Sequence, residues 1–151
     1  MPRKQKITRV GFFLYDPNKK LVLVHKRDDK RDISSPNKWD YFGGSLESAD
    51  LDDPNHALER ELYEELGVSV EQKCIKVLAH NKNEKMHYII YPKYKTREFR
   101  FDEGAGFAWL SFKEALSLFN KGDDTKSFIT KEANGYLLRF RSKLRRQRKT
   151  K

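Results

Sequence analysis

The stretch Gly43–Val68, GGSLESADLDDPNHALERELYEELGV, decides the architecture. Asp53 followed by Pro54 opens a helix, with an acid at the N-cap and a proline where its missing N–H is not needed. Gly67 closes it, because glycine accepts the left-handed turn at a helix C-terminus. The spacing therefore predicts a helix over 54–66. At about 100° per residue, Glu61, Glu64 and Glu65 share one face, and Leu58, Leu62 and Leu66 form an adjacent stripe that can face a core. Like charges three and four apart on a helix repel one another. A hard divalent cation takes oxygen ligands and would convert that repulsion into coordination. The plain alternative is a solvated charged face. Arg60, four residues before Glu64, is placed to orient it by a charge-assisted bond.

Outward from this helix, the chain reads as strands and turns. ITRVGFFLY (7–15) and LVLVH (21–25) are strands joined by Asp16-Pro17-Asn18, a hairpin. WDYF (39–42) is a short strand ending at Gly43-Gly44. CIKVLAH (74–80) and MHYIIY (86–91) form a second hairpin around 81–85, which 99–101 extends. GFAWL (106–110) is a further strand. SFKEALSLF (111–119) is a helix with Ser111 and Glu114 as a capping box. A last helix, about 129–146, carries Leu137, Phe140 and Leu144 on one face. Strands, helix, strands, helices in that order give an α+β fold, or a mixed sheet sandwiched between helices.

The 151 residues fit a single domain, and 37% hydrophobic residues with ten Phe and seven Tyr argue against disorder. One cysteine, Cys74, rules out an internal disulfide and suggests a reducing compartment; as a strand residue it is expected to be buried. Gly11–Tyr15 is too short an apolar run for a signal-peptide core or a membrane span, so the expected location is cytoplasmic. The net charge of +10 sits at the ends. RFRSKLRRQRKTK (139–151) holds eight Lys or Arg and MPRKQK (1–6) holds three, with no acid in either, so the body carries about −1. Other side chains invite a substrate role. Lys26 and Arg27 end the second strand where phosphates could be met, and Trp39 offers a ring for stacking on a base. Solvated strand-end charges and a core aromatic are the competing readings. No phosphate-binding glycine loop, nucleophile elbow or Cys–His pair is present.

The quoted stretch resembles the Nudix box of the Nudix hydrolases, G-x5-E-x7-R-E-U-x-E-E-x-G-U, with U a bulky apolar residue. Arg60-Glu61-Leu62-x-Glu64-Glu65-x-Gly67-Val68 fills its second half. The first half departs from the pattern. Asp50 has the right gap after Gly44, Asp52 has the right gap before Arg60, and two extra residues separate the counts. LVHKRDD, NKWDYFGGSLE and FDEGAGFAWLSFKEAL are similar to the flanking segments, so the resemblance covers roughly residues 7–119.

The resemblance implies a Nudix-like mixed β-sheet between helices. We read it as a single domain over 7–144 with basic extensions at 1–6 and 145–151. It implies a divalent-metal-dependent hydrolase, with Mg2+ or Mn2+, that cleaves a diphosphate bond in a nucleotide or nucleoside diphosphate derivative. Glu64 and Glu65 are then metal ligands, Glu61 a ligand or base, and a carbonyl of Gly43 or Gly44 a further ligand. Glu103 matches a later acid that completes the metal site in some branches, with an ordinary loop acid as its alternative. Glu47 matches the acid of the family's Gly-Gly-x-x-Glu segment. The expected partner is a nucleotide-type diphosphate, with no membrane. An RNA-directed pyrophosphohydrolase, or an RNA-associated Nudix-like binding module using the basic ends, is the alternative.

Overall fold

The computed structural model describes residues 6–27, 37–100 and 106–149. The first hairpin forms as expected: β1 (Arg9–Asp16) and β2 (Leu21–Lys26) pair antiparallel, Leu14 opposite Leu23 and Asp16 opposite Leu21. Away from the turn the two strands separate, and the chain fills the gap. β3 (Trp39–Asp40) pairs with the end of β2, and β4 (Phe42–Ser45) pairs with the start of β1. The single strand expected over 39–42 is thus two, broken at Tyr41, whose N–H is taken by the Asp40 carboxylate at 2.9 Å.

After α1 (Pro54–Leu66) come β5 (Ile75–Asn81) and β6 (Glu84–Ile90), the second expected hairpin. β6 runs parallel to β1. The proposed extension over 99–101 does not form among the described residues. Instead Lys93–Glu98 make a 3-10 turn that returns the chain to α1, where the Arg100 N–H donates to the Leu66 carbonyl. β7 (Phe107–Leu110) pairs with β2 and leads into α2 (Phe112–Ser117), which carries the expected Ser111–Glu114 capping box. α3 (Lys131–Lys149) starts later than expected, because Ile129 bridges to Trp39 and Thr130 caps the Ala133 N–H. It also ends later, so Arg145–Lys149 continue the helix. Cys74 is half-buried in a 3-10 turn before β5, packed beside Ile75 rather than buried within the strand.

The result is a seven-stranded mixed sheet with helices on both faces. Side chains alternate across a strand, so β1 supplies both layers. Val10, Phe12 and Leu14 pack with Leu58, Leu62 and Leu66 of α1. Phe13 and Tyr15 pack with Ala115 of α2 and with Leu137 and Phe140 of α3. Burial on both faces explains why GFFLY is continuously apolar instead of alternating. No described helix is long and apolar enough to cross a membrane.

One buried polar group gives the fold a pH dependence. His87 on β6 is 1% exposed; its Nδ1–H donates to the Gly11 carbonyl at 3.1 Å, and its Nε2 has no partner among the described residues. Burial holds its pKa down at about 4, against 6.5 when free. Between those values the unfolded chain binds a proton that the folded chain refuses, so this group makes stability rise with pH. Relative to His87→Leu, the wild type is expected to gain about 2–3 kcal/mol of unfolding free energy between pH 4 and 6.5. Denaturant melts of the pair across that range measure the difference, and a flat difference would contradict it.

Candidate active site

α1 begins and ends as its sequence dictates. The Asp53 carboxylate accepts from the Asn55 N–H at 3.0 Å, Pro54 occupies the first turn, and Gly67 takes φ 69° while donating to the Tyr63 carbonyl. A Cβ on Gly67 would lie 2.7 Å from the Arg100 backbone oxygen, so both conformation and space call for glycine there. With the leucine stripe buried, Glu61 lies against β4, Glu65 is half-buried and Glu64 faces outward.

Gly43 and Gly44 have different tasks. Gly43 adopts φ 147°, and a Cβ there would lie 2.2 Å from the Val10 carbonyl oxygen, so it allows β4 to close against β1. Gly44 leaves room for a side chain: a Cβ would lie 2.3 Å from Glu61 Oε1. The double glycine and the acidic helix, distinct in sequence, thus form one contact in the fold.

Arg60 organises the acids. Its Nε and Nη2 grip the Asp50 carboxylate at 3.1 and 2.9 Å, and Nη2 also donates to the Ser45 carbonyl. Its Nη1 donates to Glu61 Oε1 and Glu64 Oε2, both at 3.1 Å, and lies 3.4 Å from Glu47 Oε1. Of the two loop acids, Asp50 is the one that Arg60 binds. Asp50 is buried against Arg60, and the Glu47 N–H and His56 Nδ1 complete its partners. The Arg60 hydrogen bonds, then the Glu47 N–H, hold its carboxyl well below the usual carboxylate range. Asp52 is exposed and pairs with Lys6. The two extra residues, Leu51 and Asp52, both take left-handed conformations, φ 51° and 60°, which turn the longer loop back over the helix. The sequence named Arg60 but not His56 as part of this cluster; the only signal was an acid, a histidine and an arginine six and four residues apart.

Glu65 is different. Among the described residues no side chain pairs with it. Burial first, then the neighbouring Glu61 and Glu64 charges, push its pKa up to about 7. Burial also raises Glu61, against the opposing pull of Arg60. Two carboxyls held above their ordinary range, beside a third, are a site short of positive charge. Among the described residues no three His, Cys, Asp or Glu side chains are gathered into a ready cage, and Arg60 Nη1 is the cation between Glu61 and Glu64. The donor set, all oxygen, suits a hard divalent ion. Glu64, about half exposed, is free to turn from Arg60 toward such an ion.

Lys26, Arg27 and Trp39 stand at the β2–β3 end of the sheet. Lys26 and Trp39 are neighbours on paired strands, and Trp39 is half-buried against the α3 layer, its N–H donating to the Phe128 carbonyl. Arg27 Nη1 binds the buried Asp40 at 3.1 Å, and Asp40 also accepts the Thr130 hydroxyl, tying β3 to the start of α3. Glu103 lies outside the described residues.

The fold has known counterparts. Residues 5–131 match the NUDIX domain family, and the chain belongs to that family. Comparison with curated proteins gives no match. Among solved structures, a mutT/nudix family protein from Listeria innocua is similar over 99% of this chain and 100% of its own, with a TM-score of 0.68 at 16% identity. The MutT protein of Methanosarcina mazei is similar over 95% and 98%, with a TM-score of 0.57 at 17% identity. The E. coli dihydroneopterin triphosphate pyrophosphohydrolase is similar over 92% and 97%, with a TM-score of 0.61 at 18% identity. At these identities the likeness is one of fold.

Proposed function

We propose that the protein is a divalent-metal-dependent hydrolase that cleaves a diphosphate bond in a nucleotide or nucleoside diphosphate derivative. The observation that carries this is Glu65: a largely buried carboxyl with no described partner, beside Glu61 and Glu64, on a helix whose Glu61 lies against Gly44. Glu61, Glu64 and Glu65 would hold Mg2+ or Mn2+, with the carbonyls of Gly43 and Gly44 and the Glu103 carboxylate as further oxygen donors. When bound, the ion neutralises phosphate oxygens and supplies a more acidic water. Arg60, fixed by Asp50, sets the direction of Glu61 and Glu64. A carboxylate of this face takes the proton of the attacking water. Lys26 and Arg27 are proposed to meet substrate phosphates and Trp39 a base. Residues 7–144 carry the reaction, and 1–6 and 145–151 are extensions to it. An RNA substrate gains no support from the site: the basic end of α3 and the acids of α1 belong to opposite layers of the sheet.

The test is a panel of oxidised nucleoside triphosphates, nucleotide sugars, dinucleoside polyphosphates, pterin triphosphates and 5′-triphosphorylated RNA, with Mg2+ or Mn2+. Turnover of at least one small nucleotide or pterin compound, lost in chelator, is expected. In that assay Glu103→Gln is expected to lower kcat more than it raises KM, because a metal ligand or base acts mainly in the transition state. A wild-type rate in that variant would return Glu103 to an ordinary loop residue.

A further inference from the structure

The layer opposite the acidic helix carries the opposite charge. Residues 139–149 of α3 hold seven Lys or Arg and no acid. Among the described residues none of the seven forms an ion pair; Lys143 instead donates to the Val77 carbonyl of β5 at 3.0 Å. Arg139 and Lys143, Arg141 and Arg145, and Arg145 and Lys149 stand four apart, where like charges cost a few tenths of a kcal/mol per pair. A block of like charges of this length often marks an interaction segment.

The surface around these cations is grooved. Between α2 and α3 runs a groove of about 500 Å³ with Lys113, Lys121, Arg141 and Arg145 around apolar groups that include Phe119 and Leu138. Arg141 Nε is buried and has no hydrogen-bond partner among the described residues. On the other flank, between α3 and β5, a second groove of about 490 Å³ is lined by His80, Arg139, Lys143 and Arg146. Leu138, 40% exposed, borders both and forms the ridge between them. A third groove carries Lys20, Lys76 and Arg148.

We propose that this α3 face is a docking surface for single-stranded nucleic acid, separate from the hydrolytic site on α1. Cations spread over eleven residues of helix, roughly 16 Å, span more than one small anion and fit a repeating one. The apolar groups lie between the cations in the grooves, where bases can rest while phosphates meet the rims. A rigid duplex cannot follow grooves on both sides of a helix. The acids of α1, on the opposite layer, repel the same polymer and so fix which side it takes.

The experiment measures binding of a fluorescein-labelled oligouridylate of about 20 nucleotides, longer than the roughly 4–16 nucleotides such surfaces cover. The full-length protein is titrated at several salt concentrations. Affinity is expected to fall steeply with salt. Arg141→Gln with Arg145→Gln should weaken binding tenfold or more and reduce the log–log salt slope by about 1.4, two phosphate contacts at roughly 0.7 each. Arg139→Gln with Arg146→Gln, on the other flank, should do the same. Lys93→Gln with Arg97→Gln removes equal charge beside the α1 layer and should change binding less than twofold. Melting curves confirm folding, and the two flanks give independent variants should one fail to fold. Absence of binding at low salt, an equal loss in the Lys93 and Arg97 control, or equal or tighter binding to polyglutamate, duplex DNA or anionic phosphatidylserine vesicles would overturn the assignment.

Discussion

Replacing Glu64 or Glu65 by Gln is expected to lower divalent-dependent turnover by roughly 10²–10⁴-fold, the range in which a lost charged catalytic group falls, while the fold survives. The two variants should differ in stability without metal. Glu64 is about half exposed and gives up one ion pair with Arg60, so its loss changes little, within about 0.5 kcal/mol. Glu65 has no described partner, and its charge is opposed by burial and by two neighbouring carboxylates. Removing it should stabilise the metal-free protein by about 1–2 kcal/mol at neutral pH and above, after discounting for its partial exposure. Divalent ions should raise the melting temperature of the wild type and have little effect on either variant. Full activity in both variants would remove the catalytic assignment. Loss of stability in Glu65→Gln would mean the carboxylate has a structural partner.

Gly44→Ala and Gly43→Ala are expected to separate activity from stability. At Gly44 the three atoms nearest the new methyl all belong to the Glu61 carboxylate, the far end of a flexible side chain. That carboxylate must swing aside, so turnover should drop about a hundredfold while the melting temperature moves only a few degrees. At Gly43 the methyl would meet the Val10 carbonyl and the Gly11 Cα, with φ in a region side chains rarely adopt. Backbone cannot swing aside, so β4 must part from β1, at a cost of about 3 kcal/mol or more. Kinetics and melting of both variants decide the point. A fully active Gly44→Ala protein would mean that the position of Glu61 against β4 does not matter for catalysis.

What could be read from the chain was local. Asp53-Pro54 and Gly67 bound α1 to the residue, because caps are set by the residues that make them. The Ser111–Glu114 box did the same for α2. Tertiary decisions were hidden. WDYF carries a single turn-forming residue, Asp40, whose carboxylate takes the Tyr41 N–H, and it breaks there because β1 and β2 splay and the chain must pass from one to the other. The choice between Asp50 and Asp52 rested on Leu51 and Asp52 both entering left-handed conformations, which a leucine does not advertise. Phe99 packs on Tyr91 and Phe107 from outside any strand, an aromatic residue that serves packing where its type suggests a strand. For the site, the acidic face and Arg60 were visible in the spacing. The contact of Gly44 with Glu61 was not, since it depends on β4 lying under α1.

On the proposed function, the Glu61, Glu64 and Glu65 face binds the divalent ion that hydrolysis requires. Anomalous scattering from crystals of the active protein soaked in Mn2+ tests it most directly. A peak is expected within roughly 2.0–2.6 Å of carboxylate oxygens of at least two of these three residues. A carbonyl of Gly43 or Gly44 should lie nearby, and the peak should be absent from the Glu64→Gln, Glu65→Gln double variant. A peak held elsewhere in the active protein, or one undiminished in the double variant, would contradict it.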